Sequence, residues 1–362
     1  MFFDGQGENE RCMLNDRNPH MLGTESVSVA VAEIGAQTPL IRFCCDACGR
    51  RLRSPVSTEG KRGRCVCGEP VLIPFCRHVP SEDNPLRGFC IAGCRIDRVV
   101  GAGSFATVYK GHHLRLDIPV AIKVLHPERA AARHRETFLE EARVIAIINH
   151  RNVVQVLDAG RENDLLYIIM RYIRGKSLGT IIRTGEQLCF ASFLKIAMDT
   201  ARALQASHKL SIVHGDVKPA HILVTPRRRA ILIDFGMASL LSEYRKKIYG
   251  YRAMGTPLYM SPEQARGDHD VDFRVDIYAL GATMYHALAG RPPFEGSFID
   301  ILKAHEEKTP DPLDKIIPGI PRAMADVIAK AMAKKPGDRY QSMDALKNDL
   351  LRIAKLLTCP TT

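Results

Sequence analysis

Residues 212–224 read Ile-Val-His-Gly-Asp-Val-Lys-Pro-Ala-His-Ile-Leu-Val and precede an Asp-Phe-Gly triplet at residues 234–236. Within this stretch, Asp216 can accept the proton of a hydroxyl group, and Lys218 can neutralise a phosphoryl oxygen. Asp234, in the triplet, offers a carboxylate to Mg²⁺. Because phosphoryl transfer requires these three groups, the sequence predicts a site for that chemistry.

A glycine-rich turn lies earlier in the chain. Residues 99–108 read Val-Val-Gly-Ala-Gly-Ser-Phe-Ala-Thr-Val, an apolar strand followed by a turn and a β-branched return strand. Such a hairpin brings backbone N–H groups close to phosphates. Ala106 stands where a third glycine is usual, a change that costs little unless the position needs a positive φ angle.

A lysine and a glutamate follow the turn. Residues 120–123, Val-Ala-Ile-Lys, predict a strand that delivers the ammonium group of Lys123. Residues 135–150 carry apolar side chains at helical spacing, namely Phe138, Ala142, Ile145 and Ile148. We therefore predict an amphipathic helix that buries one face and lets Glu141, next to that face, form an ion pair with Lys123.

Residues 89–357 resemble the eukaryotic-type (Hanks-type) protein kinases, in particular their bacterial serine/threonine branch. Three further motifs follow in the family's order. Residues 255–263, Gly-Thr-Pro-Leu-Tyr-Met-Ser-Pro-Glu, are similar to the substrate-facing loop, and residues 276–281, Asp-Ile-Tyr-Ala-Leu-Gly, to the buried helix that anchors the catalytic loop. Arg339 resembles the usual partner of Glu263. Lys218 and Thr256 resemble the serine/threonine subclass rather than the tyrosine one.

The resemblance implies an α+β fold with two lobes: a small β-rich N-lobe with one helix and a large helical C-lobe. It also implies a serine/threonine protein kinase that transfers the γ-phosphate of ATP to protein hydroxyl groups. The implied cofactors are ATP and Mg²⁺ or Mn²⁺, and the implied partners are protein substrates. Nothing in the residues identifies a particular substrate or an oligomeric state.

By resemblance, each site residue receives a role. Asp216 would be the base, Lys218 would contact the γ-phosphate, and Lys123, oriented by Glu141, would hold the α- and β-phosphates. The implied nucleotide-binding residues are Gly101, Ala102, Gly103, Ser104, Phe105, Val108, Ala121, Lys123, Met170, Tyr172 and Ile173. The implied ligands for Mg²⁺ or Mn²⁺ are Asp234 and His221.

Two residues depart from the family's His-Arg-Asp-x-Lys-Pro-x-Asn pattern. Gly215 replaces the arginine, and His221 replaces the asparagine that ligates the second Mg²⁺. Imidazole is a softer ligand than an amide oxygen and suits Mn²⁺ or Zn²⁺ better. The sequence favours a working but weak kinase. Two alternatives stay open: an ATP-binding pseudokinase that acts as a scaffold, and a zinc-ribbon binding protein regulated by its kinase domain.

Composition narrows the class of protein. The 362 residues carry a net charge of +11, but Lys and Arg are spread along the chain, which favours a solvated basic surface over nucleic-acid binding. A membrane span is not expected, because no run of about 20 apolar residues occurs. A signal peptide is also not apparent. Eleven cysteines, an odd number, then indicate a reduced cytoplasmic protein rather than a disulfide scaffold.

Six of these cysteines crowd into residues 41–76. Cys45-x-x-Cys48-Gly and Cys65-x-Cys67-Gly resemble the two knuckles of a zinc ribbon, in which a glycine lets a tight turn aim two thiolates at one Zn²⁺. The second knuckle is one residue shorter than usual, so Cys44 and Cys76 are alternatives for the fourth ligand. Short strands are expected around the knuckles.

The predicted organisation therefore has five parts. Residues 1–40 are a disordered lead, residues 41–76 a zinc-ribbon-like module with structural Zn²⁺, and residues 77–88 a linker. The protein kinase domain covers residues 89–357, and residues 358–362 form a tail.

Overall fold

The computed structural model describes residues 40–44, 47, 50–55, 61–72, 86–103, 105–126, 132–162, 165–235, 239–240, 256–268 and 271–358. The chain divides into two units, one formed by Met1–Ala102 and Val108–Val120 and the other by Gly103–Thr107 and Ala121–Thr362. The predicted lead, apart from Leu40, and most of the predicted linker and tail lie outside the described residues.

Two short antiparallel hairpins begin the first unit. Strand β1 (Leu40–Cys44) pairs with β2 (Arg51–Pro55), and β3 (Arg62–Arg64) pairs with β4 (Pro70–Leu72). The side chains of Leu52, Cys65 and Val71 are buried. The predicted short strands are therefore present.

A run of neighbouring strands begins in the same unit. Strands β5 (Cys90–Ile91), β6 (Cys94–Ala102), β7 (Ala106–His113) and β8 (Ile118–Leu125) are neighbours in that order. At the start of β6 alternate residues are buried, namely Cys94 and Ile96. This two-residue period is the pattern of a strand with one covered face.

In the second unit, the C-terminal part of β8 continues a sheet in the order β8-β10-β9. Strand β9 (Val156–Glu162) is antiparallel to β10 (Leu165–Arg171). Helix α1 (Ala132–Ala146) buries Phe138, Ala142 and Ile145 as predicted. The helix ends at Ala146 rather than continuing to residue 150, and Ile148 is buried in the segment that follows it.

The rest of the second unit is mainly helical. Its helices are α2 (Leu178–Arg183), α3 (Phe190–His208), α4 (Pro262–Arg266), α5 (Arg274–Ala289), α6 (Phe298–Glu307), α7 (Leu313–Ile316), α8 (Arg322–Ala331) and α9 (Met343–Thr358). Short 3₁₀ helices cover Pro219–His221, Pro257–Tyr259 and Pro336–Asp338. The small strands are β11 (Lys176–Ser177), β12 (Ile212–Val213), β13 (Ile222–Val224), β14 (Ala230–Leu232) and β15 (Ser239–Leu240). They pair as β11-β13-β14 and β12-β15.

Helix α5 is the centre of this unit. Every residue from Val275 to Tyr285 is buried, as expected for a helix that is apolar on all sides. A Cβ atom on Gly281 would lie 2.9 Å from the Cβ atom of Ala331, so glycine permits the close approach of α5 and α8. The resulting rigid helix carries Asp276 to the candidate site. No helix in the described part of the chain is both long and apolar enough to cross a membrane.

Candidate active site

Three charged side chains meet in the second unit. The Lys123 Nζ atom lies 2.8 Å and 3.0 Å from the two carboxylate oxygens of Glu141, which confirms the predicted ion pair. It also donates to Oδ1 of Asp234 at 3.3 Å. Burial alone would lower the pKa of Lys123, but the two carboxylates outweigh burial and hold that pKa above its ordinary value. Lys123 therefore stays positively charged.

A buried carboxylate fixes the loop that carries Asp216. The two oxygens of Asp276 accept the backbone N–H groups of His214 and Gly215 at 2.9 Å and 2.8 Å. The Nε2 atom of His208 lies 2.8 Å from the same carboxylate. Although burial alone would raise the pKa of Asp276, the histidine contacts and the N–H bonds bring it below its ordinary value. The loop is therefore held by an ionised anchor.

His208 is a positioning residue that the sequence did not reveal. It lies at the end of α3, where a histidine could equally be exposed, and no spacing links it to Asp276. Its side chain is 6% exposed. Only the packing of α3 against α5 brings the two residues together.

The Asp216 carboxylate is held from two sides. Its Oδ2 atom lies 2.6 Å from Nζ of Lys218, and its Oδ1 atom accepts the backbone N–H of Thr256 at 3.2 Å. Lys218 also donates to the hydroxyl oxygen of Thr256 at 2.6 Å. Asp216, Lys218 and Thr256 thus form a closed network that fixes the direction of the candidate base.

Gly215 occupies a backbone conformation that suits glycine. Its φ angle is +77°, in the left-handed region where other residues are strained. Its carbonyl oxygen accepts a hydrogen bond from Nε2 of Gln264 at 3.0 Å. The departure from arginine therefore removes a charge, and glycine adopts this conformation beside Asp216 without strain.

His221 presents one ring nitrogen to Asp234. Its Nδ1 atom lies 3.0 Å from the backbone carbonyl of Asp216, and because a carbonyl only accepts, Nδ1 must carry the hydrogen. Burial is the main cause that lowers the pKa of His221, which favours the neutral ring. The lone pair of Nε2 then lies 3.3 Å from Oδ2 of Asp234. Two electron-pair donors that face each other in this way suit a divalent cation, so the residues fit the predicted metal.

The model of the protein kinase domain family matches residues 94–351 of this sequence. This chain belongs to the protein kinase domain family. The matched part contains the Lys123, Asp216, His221 and Asp234 groups described above.

Named relatives in bacteria agree with this assignment. The chain is 34% identical over 312 residues to serine/threonine-protein kinase Pkn1 of Myxococcus xanthus, a match that covers 84% of this chain and 45% of that protein. It is 37% identical over 258 residues to probable serine/threonine-protein kinase CPE1738 of Clostridium perfringens, covering 71% and 37%. It is 34% identical over 265 residues to serine/threonine-protein kinase PknB of Mycobacterium tuberculosis, covering 71% and 42%. The chain thus spans less than half the length of these relatives.

The residues predicted from the sequence to bind the nucleotide fall in both units. Gly101, Ala102 and Val108 belong to the first unit, and Ser104 lies outside the described residues. In the second unit, Gly103 donates its N–H to the carbonyl of Ala106 at 2.8 Å, and Phe105 is exposed. Ala106 is not among the residues with a positive φ angle, so the missing third glycine causes no strain. Ala121, Tyr172 and Ile173 are half-buried, and Met170 is buried.

The motif after residue 255 pairs as predicted. Arg339 donates to both carboxylate oxygens of Glu263, at 2.6 Å and 2.7 Å, and both side chains are buried. Arg339 also donates to the backbone carbonyls of Ala333 and Lys334. A buried ion pair with this many hydrogen bonds fixes α4, at the start of which Ser261 caps the helix.

The predicted zinc ligands are described only in part. Cys45 and Cys48 lie outside the described residues, as does the alternative ligand Cys76. Cys65 is buried, and its carbonyl accepts the N–H of Gly68, whose φ angle of +94° forms the predicted tight turn. Cys67 is exposed. Within the described part of the chain, no group of three or more metal-ligating side chains comes together.

Proposed function

We propose that this chain is a serine/threonine protein kinase that transfers the γ-phosphate of ATP to hydroxyl groups of protein substrates. The main support for this proposal is a continuous set of contacts that runs from Glu141 through Lys123, Asp234 and His221 to Asp216. Phosphoryl transfer depends mainly on positioning and on charge stabilisation, and this set supplies both. The relatives named as serine/threonine-protein kinases support the same reading.

Each residue has a defined task in this proposal. Asp216 accepts the proton of the substrate hydroxyl, because its carboxylate is already oriented by Thr256 and Lys218. Lys218 neutralises the phosphoryl oxygens nearby. Lys123 binds the α- and β-phosphates, with Glu141 holding its ammonium in place. Residues 101–108 cover the phosphates, and Ala121, Met170, Tyr172 and Ile173 border the adenine.

Asp234 and His221 would hold the divalent cations. Bound Mg²⁺ or Mn²⁺ would neutralise charge on the phosphates. The fixed hydrogen on Nδ1 of His221 leaves Nε2 as the donor, so the imidazole can take the place of the asparagine amide oxygen. The softer nitrogen ligand favours Mn²⁺ more than an amide does, which is the reason to expect a slower reaction with Mg²⁺.

The proposal is tested by phosphate incorporation from ATP into a generic basic protein. Asp216→Asn keeps the size of the side chain but removes the proton acceptor, so the rate should fall by about 10²–10⁴-fold while ATP binding persists. The exposed acid Asp326, changed to Asn, is the matched control and should leave the rate unchanged. A protein that binds ATP but shows no incorporation above Asp216→Asn would instead be a pseudokinase scaffold.

A structural Zn²⁺ in residues 41–76 is a second part of the proposal. The Gly68 turn and the burial of Cys65 support it, since a module of this short length gains stability from a metal. Thiolate ligands also fit the reducing cytoplasm, where we place the protein.

Metal analysis of freshly reduced protein tests the zinc site. We expect about one Zn²⁺ per chain, lost on chelation without unfolding of the kinase domain. Cys67→Ser should lower the zinc content, whereas Cys189→Ser, a change in α3's N-terminal cap, should not. Absence of zinc from the unchanged protein would exclude the site.

A further inference from the structure

A basic cavity lies in the second unit, away from Asp216. Its volume is about 800 Å³, and it is lined by the end of α1, the segment after it, the end of β10 and the β13–β14 turn. Four arginines contribute to its wall: Arg151, Arg171, Arg174 and Arg229. None of these arginines has a role in the phosphoryl-transfer site proposed above, although Tyr172 and Ile173, assigned there to the adenine, also line the cavity.

The charged side chains that line the cavity are all arginines and therefore positive. No aspartate or glutamate lines it, and none of the four arginine side chains forms an ion pair or hydrogen bond among the described residues. Elsewhere in the same unit, guanidinium groups such as those of Arg202, Arg274 and Arg339 do pair with carboxylates. Four unpaired guanidinium groups around one cavity repel each other and would be stabilised by an anionic ligand.

The floor of the cavity is apolar. Val156 and Ile173, which are half-buried, line it together with the buried core residues Ile145, Ile148, Val153 and Ile231. An inorganic phosphate would leave this floor uncovered. A nucleic acid would need aromatic side chains for base stacking, and among the described residues that line the cavity Tyr172 is the only Phe, Tyr or Trp, although His150 also lines it. A peptide that alternates acidic and apolar side chains satisfies both the arginines and the floor.

We propose that this cavity is a docking site for an acidic, partly apolar segment of a protein substrate. The location supports a role in substrate handling, because the cavity is lined by Ile145 of α1, the helix that carries Glu141, and by Tyr172 and Ile173 after β10. That the peptide belongs to a substrate rests on the proposed kinase function. Binding of the peptide itself does not depend on phosphoryl transfer.

The test uses the full chain and short fluorescent peptides. The probe alternates Glu with Leu; one matched peptide has Gln in place of Glu, and another has Ser in place of Leu. Arg151→Glu combined with Arg229→Glu should weaken binding of the probe by about tenfold or more, because the new glutamates repel the glutamates of the probe. The control combines Arg183→Glu with Arg227→Glu, two exposed arginines outside the cavity, and should change binding less than about twofold for the same change in net charge.

Several outcomes would overturn the docking site. In the first, the cavity double variant and the control double variant weaken probe binding equally. In the second, the Gln peptide binds as tightly as the Glu probe. In the third, the protein prefers single-stranded nucleic acid, and this binding requires Arg151 and Arg229. Arg151→Gln with Arg229→Gln, checked for unchanged thermal unfolding, should also weaken the probe and excludes misfolding as the cause. Probe binding that appears only after removal of residues 1–39, an acidic part of the chain, would assign the cavity to this protein's own segment and contradict a substrate in trans.

Phosphorylation assays separate this inference from the proposed function. The Arg151→Glu/Arg229→Glu variant should phosphorylate a generic basic protein at the unchanged rate. We expect the unchanged protein to have a lower KM for a substrate that carries the acidic segment than for one without it, and the variant should not show this difference. Probe binding without any phosphorylation would refute the kinase activity and leave the peptide-binding site standing. Phosphorylation without probe binding would refute the docking site alone.

Discussion

The two halves of the candidate active site differ in how closely they follow the kinase motifs. In one half, Lys123, Glu141 and Asp234 all match the family pattern and form a tight charged cluster. In the other, the Asp216 loop carries Gly215 and His221, which both depart from it. Yet the departing half is equally well connected, because Asp276, Gln264 and Asp216 bond to these two residues.

Side-chain identity and backbone placement can therefore change separately in this site. Gly215 has lost a guanidinium group but keeps both backbone hydrogen bonds, and its positive φ angle costs a glycine nothing. His221 has lost an amide but still presents a donor atom to Asp234. We therefore expect mutations of the matching residues to be severe and those of Gly215 and His221 to be graded.

Apart from loss of the base at Asp216, the largest effect is expected for Lys123→Met. The change removes the ammonium from the phosphates and leaves the buried Glu141 carboxylate without its partner, so phosphate transfer should fall by about 10²-fold or more and ATP binding should weaken. Steady-state kinetics and nucleotide titration measure the two effects. The exposed Lys195, changed to Met, is the control, and equal losses in both variants would contradict the role of Lys123.

A smaller effect is expected for Gly215→Ala. A Cβ atom at φ +77° introduces strain of about 1–3 kcal/mol, which should lower the free energy of unfolding and misplace Asp216. Urea unfolding and the transfer rate measure it. Gly337→Ala has open space and no positive φ angle, so it should be close to neutral. If Gly215→Ala were as active and stable as the unchanged protein, the loop would tolerate a different backbone conformation.

His221→Asn should have a modest effect in the opposite direction. Restoring the amide oxygen, a harder ligand, should raise the rate with Mg²⁺ a few-fold and reduce the preference for Mn²⁺ over Mg²⁺. Parallel assays with the two metals measure the ratio. The idea fails if both proteins react at equal rates in Mg²⁺.

The smallest effect is expected from phosphorylation of residues 237–254. In kinases with arginine before the base, the guanidinium group is neutralised by a phosphorylated loop, but Gly215 has no charge to neutralise. Phosphatase-treated protein should therefore react without a lag. A lag that disappears after preincubation with ATP, and returns in a Ser239→Ala/Ser242→Ala variant, would indicate that another cation replaces the arginine.

Much of the fold and site follows from local sequence pattern. Helical spacing located α1, and the motifs predicted the pairs Lys123–Glu141 and Glu263–Arg339. These succeed because each motif fixes both a residue type and an element. The end of α1 was misplaced because Ile148 continues the apolar pattern after the helix has ended.

Other features depend on tertiary packing and carry no sequence signal. The contact of His208 with Asp276 joins α3 to α5, and the φ angle of Gly215 is set by hydrogen bonds to two other elements. The cavity arginines come from separated segments, so the net charge of +11 alone suggested a solvated surface. The zinc-ribbon-like module stays a prediction, since Cys45 and Cys48 lie outside the described residues.

We infer above all that His221 serves as a metal ligand in a working site. Counting the Mn²⁺ ions bound in the presence of ATP tests this inference directly. Electron paramagnetic resonance titration of the full chain should find about two Mn²⁺ per chain, as in kinases that use two metals, and about one in His221→Ala. His221→Asn should restore the second ion. Two ions bound equally by the unchanged protein and by His221→Ala would contradict the claim.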